Sequence, residues 1–247
     1  MSEAIRIAMW SGPRNISTAM MRSFGNRDDT AVTDEPFYAA YLAQTGIDHP
    51  MRVETLASQP NDWRAVAKQL QGPVPGGKPV WYQKHMTHHM LPGFGRAWAK
   101  SCRNAFLIRA PEAVLASYSE TRPEVALADV GFVQQWELFE AEADRLGHAP
   151  PVVDAADVLA APRDMLTALC RTLGIGFSEK MLAWPAGRRD TDGVWAPVWY
   201  QSVQRSTGFA QPRADARAKP LRDDLKALAE TGRVYYERLA AYRLPPL

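Results

Sequence analysis

The sequence predicts an α/β fold: one domain over residues 1–247, with a mostly parallel central sheet flanked by helices. Three observations predict it. Short apolar runs alternate with helix-periodic segments along the chain, which is the pattern of βα units. The first run meets a Gly/Pro break and then opens a helix, the entry unit of many α/β domains. No internal repeat or low-complexity tract divides the 247 residues, and a chain of that length can bury one sizeable core.

Ile5 to Trp10 is the first predicted strand, short and apolar, stopped by Ser11-Gly12-Pro13. Ala19, Met20, Met21 and Phe24 then follow helical spacing up to Gly25-Asn26. Thr30 to Thr33 suits a second strand, closed by Asp34-Glu35-Pro36, and Ala39 to Gln44 suits a helix. Asp62 to Leu70 reads as a surface helix and Gly72 to Gly77 as a loop. Val80 to Gln83 and Ala105 to Ile108 are the third and fourth strands, ending at Lys84-His85 and Arg109. Pro111 stands at the favoured first position of the next helix, which runs through Ser117. Pro151 to Val153 is a fifth strand, Pro162 to Leu173 a helix stopped by Gly174, and Asp223 to Leu239 a last amphipathic helix. Strands that alternate with helices in this way form a sheet covered on both faces. Gly46 to Pro60 and Arg122 to Gly131 read as loops, the places where an acceptor site would lie.

Composition narrows the function. Net charge is only +2, so the chain lacks the broad basic field of a nucleic-acid binder. The N-terminal residues have no basic flank followed by a long apolar run, and no stretch approaches a membrane span. Cys102 and Cys170 are too few for a disulfide scaffold and too far apart for a metal-ligand pair. A cytoplasmic protein with two reduced thiols is expected.

Ser11 to Thr18 carries the functional reading. A loop feeding a helix N-terminus exposes backbone N–H groups in the positive end of the helix dipole. Ser17 and Thr18 add hydroxyls, and Arg14 adds a guanidinium fork suited to phosphate. The pattern is an anion cradle; its plain alternative is a strand–turn–helix connection. It is not G-x-x-x-x-G-K-[ST], because no Lys precedes the hydroxyl pair, which argues against ATP or GTP chemistry.

Pro13-Arg14-Asn15-Ile16-Ser17-Thr18 resembles the phosphosulfate-binding loop of sulfotransferases that use 3′-phosphoadenosine 5′-phosphosulfate (PAPS), and is closest to the P-R-S-G-T-T-L form of the protein-tyrosine type. Ile16 stands where that family usually has Gly, so a branched side chain is expected to limit the backbone there. Leu107 to Tyr118 is similar to the family's R-x-P-x-x-V-x-x-S segment, and Gly187 to Trp195 to its R-K-G-x-x-G-x-W segment, with Asp190 replacing a Gly. Val152 to Leu173 is similar to a further stretch that carries fold rather than chemistry.

The resemblance implies a P-loop NTPase-like sulfotransferase fold and sulfuryl transfer from PAPS, leaving PAP, with no metal. It implies that Gly12, Pro13, Arg14, Asn15, Ser17 and Thr18 hold the phosphosulfate, and that Arg109, Ser117, Arg188 and Arg189 hold the 3′-phosphate. Arg14, Glu35, Lys84 and His85 are the catalytic candidates: Arg14 and Lys84 as cations, Glu35 as first choice of base and His85 as second. Met86 occupies the place of the family's catalytic His. Helix-capping is the alternative role of the Asp34-Glu35 pair. His85, His88 and His89 have metal-ligand spacing but no zincin Glu, so acceptor-site lining or packing is the stronger reading. Trp195, Trp199, Tyr200 and Phe209 are candidates for stacking on adenine or for the core.

The expected acceptor is a small-molecule hydroxyl or amine rather than a protein, with no nucleic acid or membrane as partner; a homodimer is compatible with the sequence. Two rival readings stand beside this one: a P-loop nucleotide or small-molecule kinase, and a nucleotide-binding protein without turnover.

Overall fold

In a computed structural model, which describes residues 4–122, 124–209 and 221–247, five strands form one parallel sheet. They are β1 (Ile5–Ser11), β2 (Thr30–Asp34), β3 (Val80–Met86), β4 (Arg103–Ile108) and β5 (Val152–Asp154). Their order is β2-β3-β1-β4-β5. The two halves of the chain extend to opposite sides of β1, so the crevice at its carboxyl end is the place where α/β sheets hold ligands. Registers put Met9 beside Lys84, and Trp10 beside both His85 and Phe106.

Twelve helical segments carry the labels α1 (Ser17–Gly25), α2 (Tyr38–Thr45), α3 (Arg52–Ser58), α4 (Trp63–Leu70), α5 (Pro111–Ser119), α6 (Leu127–Val130), α7 (Phe132–Leu146), α8 (Ala155–Ala160), α9 (Pro162–Thr172), α10 (Ala196–Trp199), α11 (Gln201–Gln204) and α12 (Asp223–Ala240). Strand alternation divides the core into two layers. Ile7, Met9, Tyr82 and Leu107 face Met20 and Phe24 of α1 and Leu166 and Leu169 of α9. Ala8, Trp10 and Phe106 face Val66 of α4, Leu138 and Phe139 of α7, and Leu239 of α12. β1 from Ile7 and β4 from Asn104 are buried on both sides, which is why they read as short, mainly apolar runs.

All five predicted strands form, four of them within two residues at their ends, whereas β3 runs three residues further, to Met86. Two predicted loops do not stay irregular: Gly46–Pro60 contains α3, and 122–131 contains α6. Pro123 of that second segment and the N-terminal Met1 to Glu3 lie outside the described residues. The sequence reading passed over α7 entirely, although Phe132, Gln135, Leu138 and Phe139 fall at helical spacing on its buried face. Gly12 serves the packing of this region: a Cβ there would sit 2.6 Å from the Val130 carbonyl oxygen of α6.

Candidate active site

A cavity of about 380 Å³ opens at the carboxyl edge of β1, β2, β3 and β4. One wall is the β1–α1 loop. Arg14 and Ile16 both take left-handed backbone conformations, with φ of 61° and 55°. Ile16 is the N-cap of α1 and no side chain caps that end. The amides of Ser17, Thr18 and Ala19 therefore begin the helix without intrahelical acceptors, in the positive end of its dipole. Arg14 Nε donates to Ser117 Oγ on α5 at 2.9 Å, and an Arg109 guanidinium nitrogen donates to the Arg14 carbonyl at 2.6 Å. Burial lowers the pKa of Arg14, opposed by Glu120 and Tyr118; burial and then Arg14 lower that of Arg109. Two half-buried cations bonded to neutral oxygens at an uncapped helix start are an arrangement suited to an anion.

The opposite wall holds a buried polar knot. Lys84 Nζ lies 3.0 Å from Asp34 Oδ1, 2.5 Å from Glu35 Oε1 and 2.6 Å from the Tyr200 hydroxyl. That hydroxyl also bonds both Asp34 oxygens at 2.8 Å and receives the Trp195 indole N–H at 3.0 Å. The Gly193 amide donates to Asp34 Oδ2 at 3.0 Å. Asp34 is thus fully solvated by protein. Glu35, 8% exposed and at a left-handed φ of 40°, is less so. Burial raises the Glu35 pKa and outweighs the opposing pull of Lys84. Burial alone would push Lys84 down, but Asp34 and Glu35 outweigh it and the net direction is up. Lys84 stays an ammonium, and burial favours the protonated form of Glu35.

The family model described as a sulfotransferase domain matches residues 5–241. The chain belongs to the sulfotransferase domain family. Two solved structures share its fold. The sulfotransferase domain from the Synechococcus PCC 7002 olefin synthase has a TM-score of 0.54 at 19% identity, over 99% of this chain and 98% of that one. The sulfotransferase domain from the curacin biosynthetic pathway has a TM-score of 0.54 at 16% identity, over 99% of both chains. The curated relatives are named differently. Branched-chain-amino-acid aminotransferase-like protein 1 of Arabidopsis thaliana is 37% identical over 222 residues, 90% of this chain and 39% of that protein. Its counterpart, protein 2, is 35% identical over 216 residues, 87% of this chain and 38% of that protein. The sulfotransferase domain thus spans roughly two fifths of the length of the curated relatives it matches.

Within this sulfotransferase domain the cavity gathers most of the residues singled out by sequence. Pro13, Arg14, Asn15, Ser17 and Thr18 line it, as do Glu35, Lys84, Arg109 and Ser117. Four others are elsewhere. His85 is on the opposite face of β3, stacked on Trp10 at 4.6 Å and bonded through Nε2 to Gln83 Oε1 at 3.2 Å. Alternation along the strand gives the cavity Lys84 and Met86 and turns the residue between them away. Gly12 is at the α6 contact rather than among the lining residues. Arg188 is exposed, and Arg189 donates to the Pro185 carbonyl at 3.2 Å. Their loop is braced instead by a buried ion pair between Asp192 and Arg22 of α1, at 2.6 Å, and Asp192 also accepts the Arg189 amide at 2.9 Å.

The sequence reading missed Tyr38, His49 and Tyr118, which also line the cavity. Tyr38 sits just after the Asp34-Glu35-Pro36 stop, so its proximity to a strand end was the available signal. His49 had none, because α3 and the turn before it bring it inward. His88 and His89 also line the cavity, in the short 3₁₀ turn after β3. Trp199, Tyr200 and Phe209 line it, whereas Trp195 is core, 1% exposed. Among the described residues no group of three His, Cys, Asp or Glu is placed to hold a metal ion, and no helix is long and apolar enough to cross a membrane.

Proposed function

We propose that this sulfotransferase domain transfers a sulfuryl group from PAPS to a hydroxyl or amine of a small-molecule acceptor by in-line displacement. The observation that carries the reading is one cavity with an anion site, Arg14 and Arg109 at the start of α1, facing a buried carboxyl, Glu35. Its volume of about 380 Å³ falls within the range of cofactor and ligand sites, roughly 300–1,000 Å³. The donor set suits a nucleotide bearing two phosphates: guanidinium forks, hydroxyls of Ser17, Thr18 and Ser117, and amides at the helix start.

In this reading Arg14 and the Ser17 and Thr18 groups hold the phosphosulfate, as in the tyrosine-type loop, and Arg109 with Ser117 holds the 3′-phosphate. The acceptor oxygen attacks sulfur, a new S–O bond forms, and the old bond from sulfur to the bridging oxygen breaks. The electron pair leaves with that oxygen on PAP, where Arg14 and the helix dipole meet the growing charge. The acceptor proton passes to Glu35, the buried carboxyl beside Lys84 whose pKa burial raises. Lys84 and Tyr200 fix the direction of the Glu35 carboxylate and act as positioning residues. Trp199 or Phe209 offers a face for adenine.

Calorimetric titration of the purified protein with PAP and with ATP–Mg tests the donor, and labelled PAPS with a pooled metabolite extract tests transfer. PAP is expected to bind in preference to ATP–Mg. Arg14→Ala should weaken PAP by roughly 10- to 100-fold, the worth of a charge-assisted hydrogen bond, with the fold intact. Tighter binding of ATP–Mg by the wild type would refute the proposal.

A further inference from the structure

Asp34 takes no part in the transfer step, yet it lies at the centre of the polar knot. Lys84 Nζ has three N–H groups and three partners, Asp34 Oδ1, Glu35 Oε1 and the Tyr200 hydroxyl. None of the three is left over for a nucleotide. The Tyr200 oxygen accepts from Lys84 and from the Trp195 indole, which fills both of its lone pairs, and it has one proton to give. Both Asp34 oxygens stand 2.8 Å from it, and Glu35 Oε1 stands 3.2 Å away. Asp34 Oδ2 also accepts the Gly193 amide. Asp34 is thus the better supplied of the two carboxylates, and its side chain is 2% exposed against 11% for that of Glu35. Oε2 of Glu35 accepts from no donor among the described residues and is not sealed off from the cavity that Glu35 lines.

One ammonium therefore stands between two carboxyls. With Asp34 present, Lys84 is balanced before Glu35 is counted, and Glu35 is the surplus group. Without Asp34, Glu35 would be the sole counter-ion of Lys84, and a carboxylate locked to a cation holds a proton weakly. The nearby Asp34 charge favours proton uptake by Glu35, and Lys84 opposes it. The other titratable groups around the knot leave this balance alone. Burial raises the pKa of Tyr38 on α2 and of Tyr200 just after α10, and lowers that of His85 on β3 and of His89 in the turn after it, so all four are uncharged. Arg14 belongs to the opposite wall, where it is bonded to Ser117.

We propose, building on the function read above, that Asp34 is a positioning residue for sulfuryl transfer: it occupies Lys84 and the Tyr200 proton, and so leaves Glu35 Oε2 free to take the proton of the acceptor. The segment whose arginines were expected at the 3′-phosphate serves the base instead. Its Gly193 amide fixes Asp34, and its Trp195 indole fixes Tyr200.

Carbon-13 NMR of the intact protein, labelled at the glutamate side-chain carboxyl, reads the Glu35 titration directly, with Glu35→Gln to assign the signal. Asp34→Asn keeps the shape and removes the charge, so the Glu35 midpoint should fall by about one pH unit or more, whereas Lys84→Met should raise it by as much. A mere loosening of the knot would admit water and move both midpoints the same way, toward the ordinary value of about 4.3. Shifts in one direction, or no shift in Asp34→Asn, would overturn the proposal. If either variant does not fold, wild type labelled at the aspartate carboxyl decides: the Asp34 signal should move at the pH where Glu35 titrates, and a signal that stays still there overturns it. PAP titrated by calorimetry forms a separate arm, and its affinity for Asp34→Asn should stay within about twofold of wild type because the anion site is on the other wall. Opposite shifts without PAP binding would support the hold of Asp34 on Glu35 and sink the donor assignment; PAP binding without opposite shifts would do the reverse.

Discussion

Lys84→Met removes the ammonium between Asp34 and Glu35 and leaves an unbranched side chain in its space. Asp34 keeps two protein donors, the Tyr200 hydroxyl, 2.8 Å from both of its oxygens, and the Gly193 amide at 3.0 Å. Glu35 keeps only a share of that same hydroxyl proton, at 3.2 Å. Leaving a buried charge uncompensated costs about 3–5 kcal/mol. Glu35 can avoid part of that cost by taking up a proton, since burial already raises its pKa with Lys84 in place. A carboxyl whose folded pKa lies above its unfolded value, about 4.3, favours folding below that value and opposes it as pH rises through the folded pKa. The slope approaches about 1.4 kcal/mol per pH unit. The variant should therefore be weakest in mild alkali and recover stability as the pH falls through mild acid. In the wild type, Lys84, with its raised pKa, loses its contribution only above the ordinary lysine range, outside that window. Urea unfolding followed by the fluorescence of the 8 tryptophans measures the difference. Adding Glu35→Gln to Lys84→Met should flatten the pH dependence and restore part of the stability. An equal deficit at every pH, or a double variant no more stable than the single one, would refute the reasoning.

Two further outcomes follow from the packing. His85→Phe preserves a ring against Trp10 but leaves Gln83 Oε1 with only the weak Cys102 thiol donor at 3.9 Å, so stability should fall by about 1–3 kcal/mol. The rate of sulfuryl transfer should stay within about twofold, whereas loss of a general base costs about 10²–10⁴-fold; a hundredfold drop in kcat would return His85 to the list of bases. Asp192→Ala leaves Arg22 buried and unpaired on α1, so stability should fall by about 3–5 kcal/mol and Tm by roughly 6–20 °C. A calorimetric scan with Tm unchanged within about 3 °C would show that the brace contributes nothing.

Most of the sheet was readable because buried parallel strands are short apolar runs with sharp stops. Ile5–Ser11 and Arg103–Ile108 meet this description closely. Both walls of the cavity were readable for the same reason: Arg14, Glu35, Lys84 and Arg109 stand at or just after strand ends, so position along the chain brings them to one edge of the sheet. That Lys84 faces the cavity and His85 does not was not. A one-residue step along β3 carries a side chain through the sheet, and the motif spacing leaves that phase open. The Arg188-Arg189 pair failed differently. The loop is held where it is by Asp192 and Arg22, partners 170 residues apart in sequence, and no local pattern marks such a contact. The ring-bearing lining of the cavity, Tyr38, His49, His88, His89 and Trp199, comes from α2, the turn before α3, the turn after β3 and α10, so it comes together only on folding.

Backbone strain singles out the same place as the side chains. Among the described residues, the non-glycine positions with positive φ are Arg14, Ile16, Glu35 and Met51, and the first three line the cavity. Each costs about 1–3 kcal/mol and persists only where its surroundings fix it. Ile16 shows how. Glycine would take its φ of 55° freely, yet the loop adopts that conformation with a branched side chain, half-buried against the layer that contains Met20 and Phe24. Apolar packing from the side chain offsets the steric cost, and isoleucine leaves the unfolded chain about 0.5–1 kcal/mol less entropy to lose than glycine would. The Arg14 turn has a second consequence. It aims Nε at Ser117 while its carbonyl accepts from Arg109, so the arginines from two different strand ends are locked to each other through one strained residue. An anion arriving at this site meets cations already fixed in place, and the ordering cost that flexible arginines would add on binding has been met in the fold.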